Sequence, residues 1–289
     1  MIQFDQAEIS GPGPGIEPGS GDPQSPRISP TPTRPSVPLI IPYILTISLI
    51  TGIVPHRKRI NNNPDSLYVL TLNIIDAELE LVPESMWDDY QIRKVAKNLG
   101  KKYNEMLLDS NYMHGAIERY FPGMSNRMGR PDIFHTLLNV TQDSILNKKG
   151  HLNVNIHTKH NSIIRVSPET RIPKSYNRFA GLFEKLLTRG DLKSPDGKTL
   201  ISIGEGRFED LLRGDGTDIL MSPKGEIAKM NEVVKFKDMN VFIGGFSEGD
   251  FKSHVYERLK AFSIFDEELT IWTVGWEIMS SYERMIGLL

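Results

Sequence analysis

Residues 241–250 read VFIGGFSEGD, an apolar run of strand length that passes without a break into a glycine-rich turn. Glycines let a backbone approach a ligand closely, and the C-terminal end of a parallel strand is where α/β proteins place their ligands. Gly244 and Gly249 do not complete G-x-G-x-x-G, and no ribose-binding acid is evident about 20 residues on, so a dinucleotide site is disfavoured. Around this run the last 75 or so residues alternate between short apolar runs and amphipathic stretches. The pattern predicts strands at 218–221, 240–244 and 261–265 and helices at 226–234 and 268–286, the arrangement of buried parallel strands with crossover helices.

Upstream the same texture continues. Residues 67–75 (LYVLTLNII) predict a strand, 91–99 and 133–146 helices, 152–157 with 162–166 a hairpin, and 176–187 a helix with apolar residues Phe179, Leu182, Phe183 and Leu186 at helical spacing. The 203–206 segment IGEG reads as a plain loop. Trp272 and Trp276, four apart on the last predicted helix, suit either a stacking platform for bases or, as aromatics beside aliphatics more commonly do, a core or subunit interface.

Before residue 66 the composition changes. Twelve of the 19 prolines precede residue 65, and 11–38 lacks the large apolar groups needed to bury a core, so 1–65 reads as a disordered extension or an over-long start, with 66–289 as the folded domain. The apolar run 39–54 (LIIPYILTISLITGIV) is followed by the basic residues His56 to Arg59. Its 16 residues fall short of the ~20 that cross a bilayer core and Pro42 interrupts it, so membrane association is disfavoured, though left open. Charges follow this run where a secretory signal would carry them in front.

The chain has 289 residues and a net charge of -2, so it is not a general polycation and any nucleic-acid contact must come from a local patch. No cysteine is present, which excludes disulfides, thiolate metal sites and cysteine nucleophiles. The seven histidines are scattered with no H-E-x-x-H spacing, so no metal is expected.

Two polar constellations stand out. Arg171, Lys174 and Arg178 lie at offsets of three and four across a loop that runs into a helix, a spacing that aims them one way and suits a phosphate backbone, or else marks a solvated basic turn. In GRPDIFH, residues 129–135, Arg130 and Asp132 flank a proline and are placed to form a fixed ion pair, while Asp132 is equally well placed as a helix N-cap.

Taken together, GRPDIFH (129–135), DSILNKKG (143–150), NIHT (155–158), PETRIPKSYNRFAGL (168–182) and the turn 244–249 resemble the SPOUT-class methyltransferase family that makes N1-methylpseudouridine in small-subunit ribosomal RNA and assists ribosome assembly. LLDSNYMH (107–114) is similar to that family's early helix, and the resemblance spans about 67–289. It implies an α/β SPOUT-type fold with a C-terminal trefoil knot around a mainly parallel sheet, two subunits packing at the knot as a homodimer, and S-adenosylmethionine as cofactor. Carried across by position, Met221, Gly244, Gly249 and the stretch Ile264, Phe265, Asp266, Glu267, Glu268, Leu269 would line the cofactor pocket. Arg130, Arg171, Lys174 and Arg178 would contact an rRNA hairpin, with Asp132 orienting Arg130. The chain departs from the pattern at Lys174, where arginine is usual, and at 264–269, which lacks the family's Tyr-Pro turn.

Asp132 is also a candidate base, but a carboxylate committed to an arginine is a poor proton acceptor, which favours the orienting role and leaves the base unassigned. The implied alternatives are a non-catalytic rRNA-binding assembly factor and a methyltransferase of the same fold acting elsewhere on RNA. The motifs are closer to archaeal than to eukaryotic forms, implying the cytoplasm; a eukaryotic homologue would be nucleolar.

Overall fold

The computed structural model describes residues 68–289, so the expectations for 1–65, including the apolar run 39–54, lie outside the described residues. The elements run β1 (Leu70–Ala77), α1 (Tyr90–Leu99), α2 (Ser110–Tyr120), α3 (Pro131–Asp143), α4 (Ile145–Lys148), β2 (Leu152–Thr158), β3 (Ser162–Val166), α5 (Tyr176–Arg189), β4 (Leu192–Lys193), β5 (Thr199–Glu205), β6 (Asp218–Ile227), α6 (Met230–Val233), β7 (Met239–Gly244), β8 (Lys260–Ser263) and α7 (Ile271–Met285).

One eight-stranded sheet is formed in the order β4-β5-β3-β2-β1-β7-β6-β8. Pairings from β2 through β1, β7 and β6 to β8 are parallel, while β3, β5 and β4 add an antiparallel edge. β1 is central, and all eight of its residues are buried, as a strand covered on both faces must be. Leu70, Leu72 and Ile74 face the main core, which α3, α5 and α7 close with Phe134, Leu137, Phe179, Phe183, Ile278 and Tyr282.

The opposite face of β1 is partly polar. Asn155 Nδ2 donates to Asn73 Oδ1 at 2.8 Å, Asn73 Nδ2 to Asn240 Oδ1 at 2.7 Å, and Asn240 Nδ2 to Asp218 Oδ1 at 2.6 Å. This ladder satisfies buried amides across four adjacent strands and fixes their register, because a one-residue slip would leave each amide unpaired. A smaller core under α1 and α2 holds Met86, Ile92, Met106, Leu108, Met113 and Ile117. No helix among the described residues is long and apolar enough to cross a membrane.

The C-terminal third departs from the expected pattern. Glu226 and Ile227 end β6, and the following helix is only Met230–Val233, so the expected 226–234 helix shortens to four residues and its first two join the strand. β6 pairs with β8 twice, Met221 and Glu226 both opposing Phe262, and this long excursion takes residues that sequence periodicity assigned to a helix. The β7–β8 connection carries only a short 3-10 turn, Val255–Glu257, so these parallel strands are not joined by full crossover helices. The IGEG segment is not a loop: Ile203, Gly204 and Glu205 pair with β3. The expected 133–146 helix stops at Asp143, where Ser144 is extended and its hydroxyl caps α4 by accepting from Asn147 N at 3.1 Å.

Candidate cofactor cavity and basic face

The parallel strands β7 and β8 end beside the middle of β6, at Met221 to Pro223, and with the chain segments leaving β7 and β8 they enclose a cleft, open to solvent, against the start of α7. Met221, Ile243, Phe246, Phe262, Ile264, Leu269 and Val274 supply apolar walls; Ser222, Ser247, Ser263, Glu248, Glu267 and Glu268 supply polar ones. Of the residues expected at a cofactor pocket, Met221, Gly244, Gly249, Ile264, Glu267, Glu268 and Leu269 line this cleft; Phe265 and Asp266 do not, and Phe265 is half exposed. The reason is local: Ser263 Oγ donates to Phe265 O at 2.7 Å, curling the chain so that 265–266 bulge outward.

The glycine turn is held from beneath. Gly245 N donates to Ile75 O at 2.6 Å, and Glu78 N to Gly245 O at 3.0 Å. Asp76, in the left-handed region at φ 57°, accepts from Lys252 N at 2.7 Å and from Ser253 N at 2.9 Å, fixing the turn's far end. Arg127 donates to Glu248 O and to Asp250 O, and its guanidinium lies 4.4 Å over the Phe246 ring. Gly249 has φ 81°, a conformation that favours glycine, and a Cβ there would stand 2.5 Å from Arg127 Nη1 and push the guanidinium tip aside. Asp76, Glu78 and Arg127 were not singled out from the sequence. The available signal was acids at every second position, Asp76, Glu78 and Glu80, running off the end of an apolar strand.

The second constellation gathers around the starts of α3 and α5. Arg130 Nε and Nη2 donate to Asp132 Oδ1 and Oδ2, each at 2.9 Å, the two-pronged pair expected from their spacing. Asp132 is not the helix cap: Arg130 occupies that position, Pro131 follows it, and no side chain caps α3. Asp132 lies one residue further in, its carboxylate taken by Arg130. No side chain caps α5 at Ser175 either, so both helices present first-turn N–H groups without a side-chain partner.

Arg171, Lys174 and Arg178 are exposed, and Arg171 and Lys174 share a groove with Asn139, Asp143, Asn147 and Lys148. Arg178 lies outside that groove, on the first turn of α5. The loop bearing them is anchored by Thr170 Oγ1 donating to Leu200 O at 2.6 Å, by Asn147 Nδ2 donating to Pro168 O at 2.9 Å and by the His135 ring, whose Nε2 lies 2.9 Å from Pro173 O. Tyr176 donates its hydroxyl to Asp109 at the start of α2. Burial pushes the Asp109 carboxyl up, and burial together with Asp109 pushes the Tyr176 phenol up, so that proton stays on the tyrosine. Trp272 packs against the main core, whereas Trp276 is 48% exposed on α7.

Residues 73–283 match the model of the EMG1/NEP1 methyltransferase family. The chain belongs to that family. It is 50% identical over 223 residues to the ribosomal RNA small subunit methyltransferase Nep1 of Thermoplasma volcanium, covering 76% of this chain and all of that one, and 49% identical to its counterpart in Thermoplasma acidophilum with the same coverage. Among solved structures, Nep1 of Archaeoglobus fulgidus bound to S-adenosylhomocysteine superposes with a TM-score of 0.67 at 32% identity, over 75% of this chain and 98% of that one. The EMG1/NEP1 match begins inside β1 and ends inside α7, so it contains both the cleft and the basic face.

Proposed function

We propose that this chain is an S-adenosylmethionine-dependent methyltransferase of small-subunit ribosomal RNA that transfers a methyl group to N1 of a pseudouridine, with the cofactor in the β6–β7–β8 cleft and the RNA across the starts of α3 and α5. The observation that carries it is the cleft itself: a glycine turn at the C-terminal ends of parallel strands, walled by apolar side chains and rimmed by Glu248, Glu267 and Glu268. Apolar walls fit an adenine ring, and the acids complement the sulfonium and ammonium charges of S-adenosylmethionine. Family membership and the S-adenosylhomocysteine bound to the Archaeoglobus protein support the same reading. Met221, Gly244, Gly249, Ile264, Glu267, Glu268 and Leu269 are the proposed contacts.

The cofactor supplies an electrophilic methyl group on a cationic sulfur. Pseudouridine, joined to ribose through carbon, presents an N1–H that uridine lacks. In the transfer N1 gains the methyl carbon, the sulfur–methyl bond breaks with its electron pair left on sulfur, and the N1 proton leaves to solvent or a base. The chain's part is alignment and charge. Arg130, held in one orientation by Asp132, keeps donors free for phosphate or base, and Arg171, Lys174 and Arg178 beside two uncapped helix starts bind the backbone. Cations there stabilise negative charge developing on the uracil ring as the N1 proton leaves. A hairpin loop with the nucleotide turned out suits the geometry, since a stacked base cannot reach a cleft.

Two copies are proposed to pack through the C-terminal elements, where Trp276, Ile227 and Phe265 leave large apolar surface exposed; sedimentation of the chain tests this. The reaction is tested with labelled S-adenosylmethionine and paired RNA hairpins differing only in pseudouridine or uridine at one loop position. Label confined to the pseudouridine hairpin and mapped to N1 supports the reading; binding of both partners without transfer points to an assembly factor instead.

A further inference from the structure

Glu78 follows the last residue of β1 and is 1% exposed. Its main chain ties the two halves of the site together: its N–H reaches Gly245 O at 3.0 Å in the glycine turn, and its carbonyl accepts from Arg130 N at 3.2 Å at the start of α3. Its carboxylate lies 3.0 Å from Arg127 Nε, both side chains being largely buried, yet neither Oε nor that Nε has a well-directed hydrogen-bond partner. A buried ion pair with imperfect hydrogen bonds is a poor stabilising device, because the desolvation cost exceeds what the attraction returns.

What the pair does instead is aim the rest of Arg127. With Nε drawn toward Glu78, Nη1 and Nη2 both reach Asp250 O, at 3.1 and 3.2 Å, Nη1 also reaches Glu248 O, and the guanidinium plane covers Phe246. Glu248, Gly249 and Phe246 line the cleft; Arg127 and Glu78 do not. Resting on the cofactor reading of the cleft, we propose that Glu78 and Arg127 are positioning residues for the reaction: the pair holds the 244–250 turn in its receiving shape and locks it to the start of α3, so that cofactor binding and RNA binding strengthen one another. Reciprocity follows from linkage, since two ligands that both favour the locked arrangement must each raise the other's affinity.

Charge on Glu78 is what directs Arg127, so the lock responds to pH. Facing Glu78 are Arg127 and Arg130 from the segment leading into α3, Lys159 from the turn after β2, and the Ser247 N–H from the glycine turn. Burial outweighs these and pushes the Glu78 carboxyl up to about 7. Above that pH the pair is ionised and the turn held; below it Glu78 is protonated and the hold on Arg127 weakens.

The test is calorimetric binding of S-adenosylhomocysteine between pH 6 and 8 by the full chain and its E78Q and R127K variants, with hairpin affinity measured with and without S-adenosylhomocysteine. The unaltered chain is expected to bind the nucleoside about tenfold more tightly at pH 8 than at pH 6, a difference of ~1.4 kcal/mol. E78Q is expected to give a flat profile near the pH 6 level, and R127K about tenfold weaker binding throughout. Both are expected to bind RNA alone as before while losing its enhancement by S-adenosylhomocysteine. A purely structural role would not remove the pH step, and E78Q, being isosteric, carries the test if R127K does not fold. No binding by the unaltered chain removes the cofactor reading and the pair's role with it. Binding by the unaltered chain, with an unchanged pH step in E78Q or unchanged affinity in R127K, overturns the pair alone.

Discussion

The cleft and the basic face lie at two ends of the same short β1–α3 framework, and they are built from different material. The cleft is made by main chain: the ends of β7 and β8, the middle of β6 and a turn whose shape depends on where backbone can pass, with side chains filling in around it. The basic face is made by side chains, four cations standing on a loop and two helix starts that hydrogen bonds hold in place. The difference implies that the cleft should fail abruptly when a backbone path is blocked, whereas the face should fail by increments, one charge at a time.

The strongest test of that contrast is Gly225→Ala. A Cβ at 225 would stand 2.5–2.6 Å from the main chain of Ala261 and Phe262 in β8, and backbone on both sides cannot yield. Thermal unfolding should show a loss of roughly 3 kcal/mol or more, a fall of ~10 °C, with S-adenosylhomocysteine binding abolished. Near-normal stability would mean that the β6–β8 crossing is not as tight as described. Next in size, Gly249→Ala should weaken S-adenosylhomocysteine binding by about tenfold, because a left-handed φ and the Arg127 guanidinium both oppose it, while hairpin affinity without cofactor stays the same.

On the basic face, Arg130→Ala should weaken hairpin binding by about tenfold with cofactor affinity nearly unchanged; equal losses would make the cleft and the face one site. Arg171→Ala, Lys174→Ala and Arg178→Ala should each lower the salt dependence of RNA binding by about one counterion, read as the slope of log K against log salt. Tyr176→Phe leaves the buried Asp109 carboxyl with only the Asn111 N–H as donor and should cost about 1 kcal/mol in stability and a few-fold in RNA affinity.

The remaining effect shows only when pH is varied and comes from two neighbouring glutamates. Burial pushes Glu78 up to about 7, so the unfolded chain gives up this proton at lower pH than the folded one. Stability from Glu78 is present at pH 4 and lost as pH rises through 7, by up to roughly 3 kcal/mol, and E78Q should lack that decline in urea unfolding. Glu80 is also buried, but His160 and Lys159 more than offset the desolvation and hold it below the usual carboxylate range. Its contribution runs the other way, present at neutral pH and lost as pH falls through its folded value, so E80Q should flatten the acid limb that E78Q leaves intact.

Much of the fold was legible because local chemistry marks it. The hydrophobic run of β1, the alternation in β2 and β3, the helical spacing of Phe179, Phe183 and Leu186 and the two-residue offset of Arg130 and Asp132 all depend on neighbours in sequence. Arg171, Lys174 and Arg178 could be grouped for the same reason, since their offsets on a loop before a helix are visible in a string of letters, while their assignment to RNA, like that of Arg130, rests on the family resemblance. What could not be read was contact at long range. Residues 226–227 belong to a strand because β8 lies alongside them, Gly204 and Glu205 because β3 does, and Phe265 turns outward because Ser263 ties its carbonyl.

The sequence by itself determined the α/β class, the strand that feeds a glycine turn and the set of cations on the basic face, since periodicity, turn chemistry and charge are properties of adjacent residues. Only the tertiary structure decided that Glu78 and Arg127 meet under the glycine turn, that Asp76 closes its far end, and that three neighbouring strands enclose one cleft. Those contacts join residues about 50 to more than 170 positions apart, and desolvation, which gives a buried Glu78 a chemistry that an exposed glutamate lacks, exists only once the chain has packed around it.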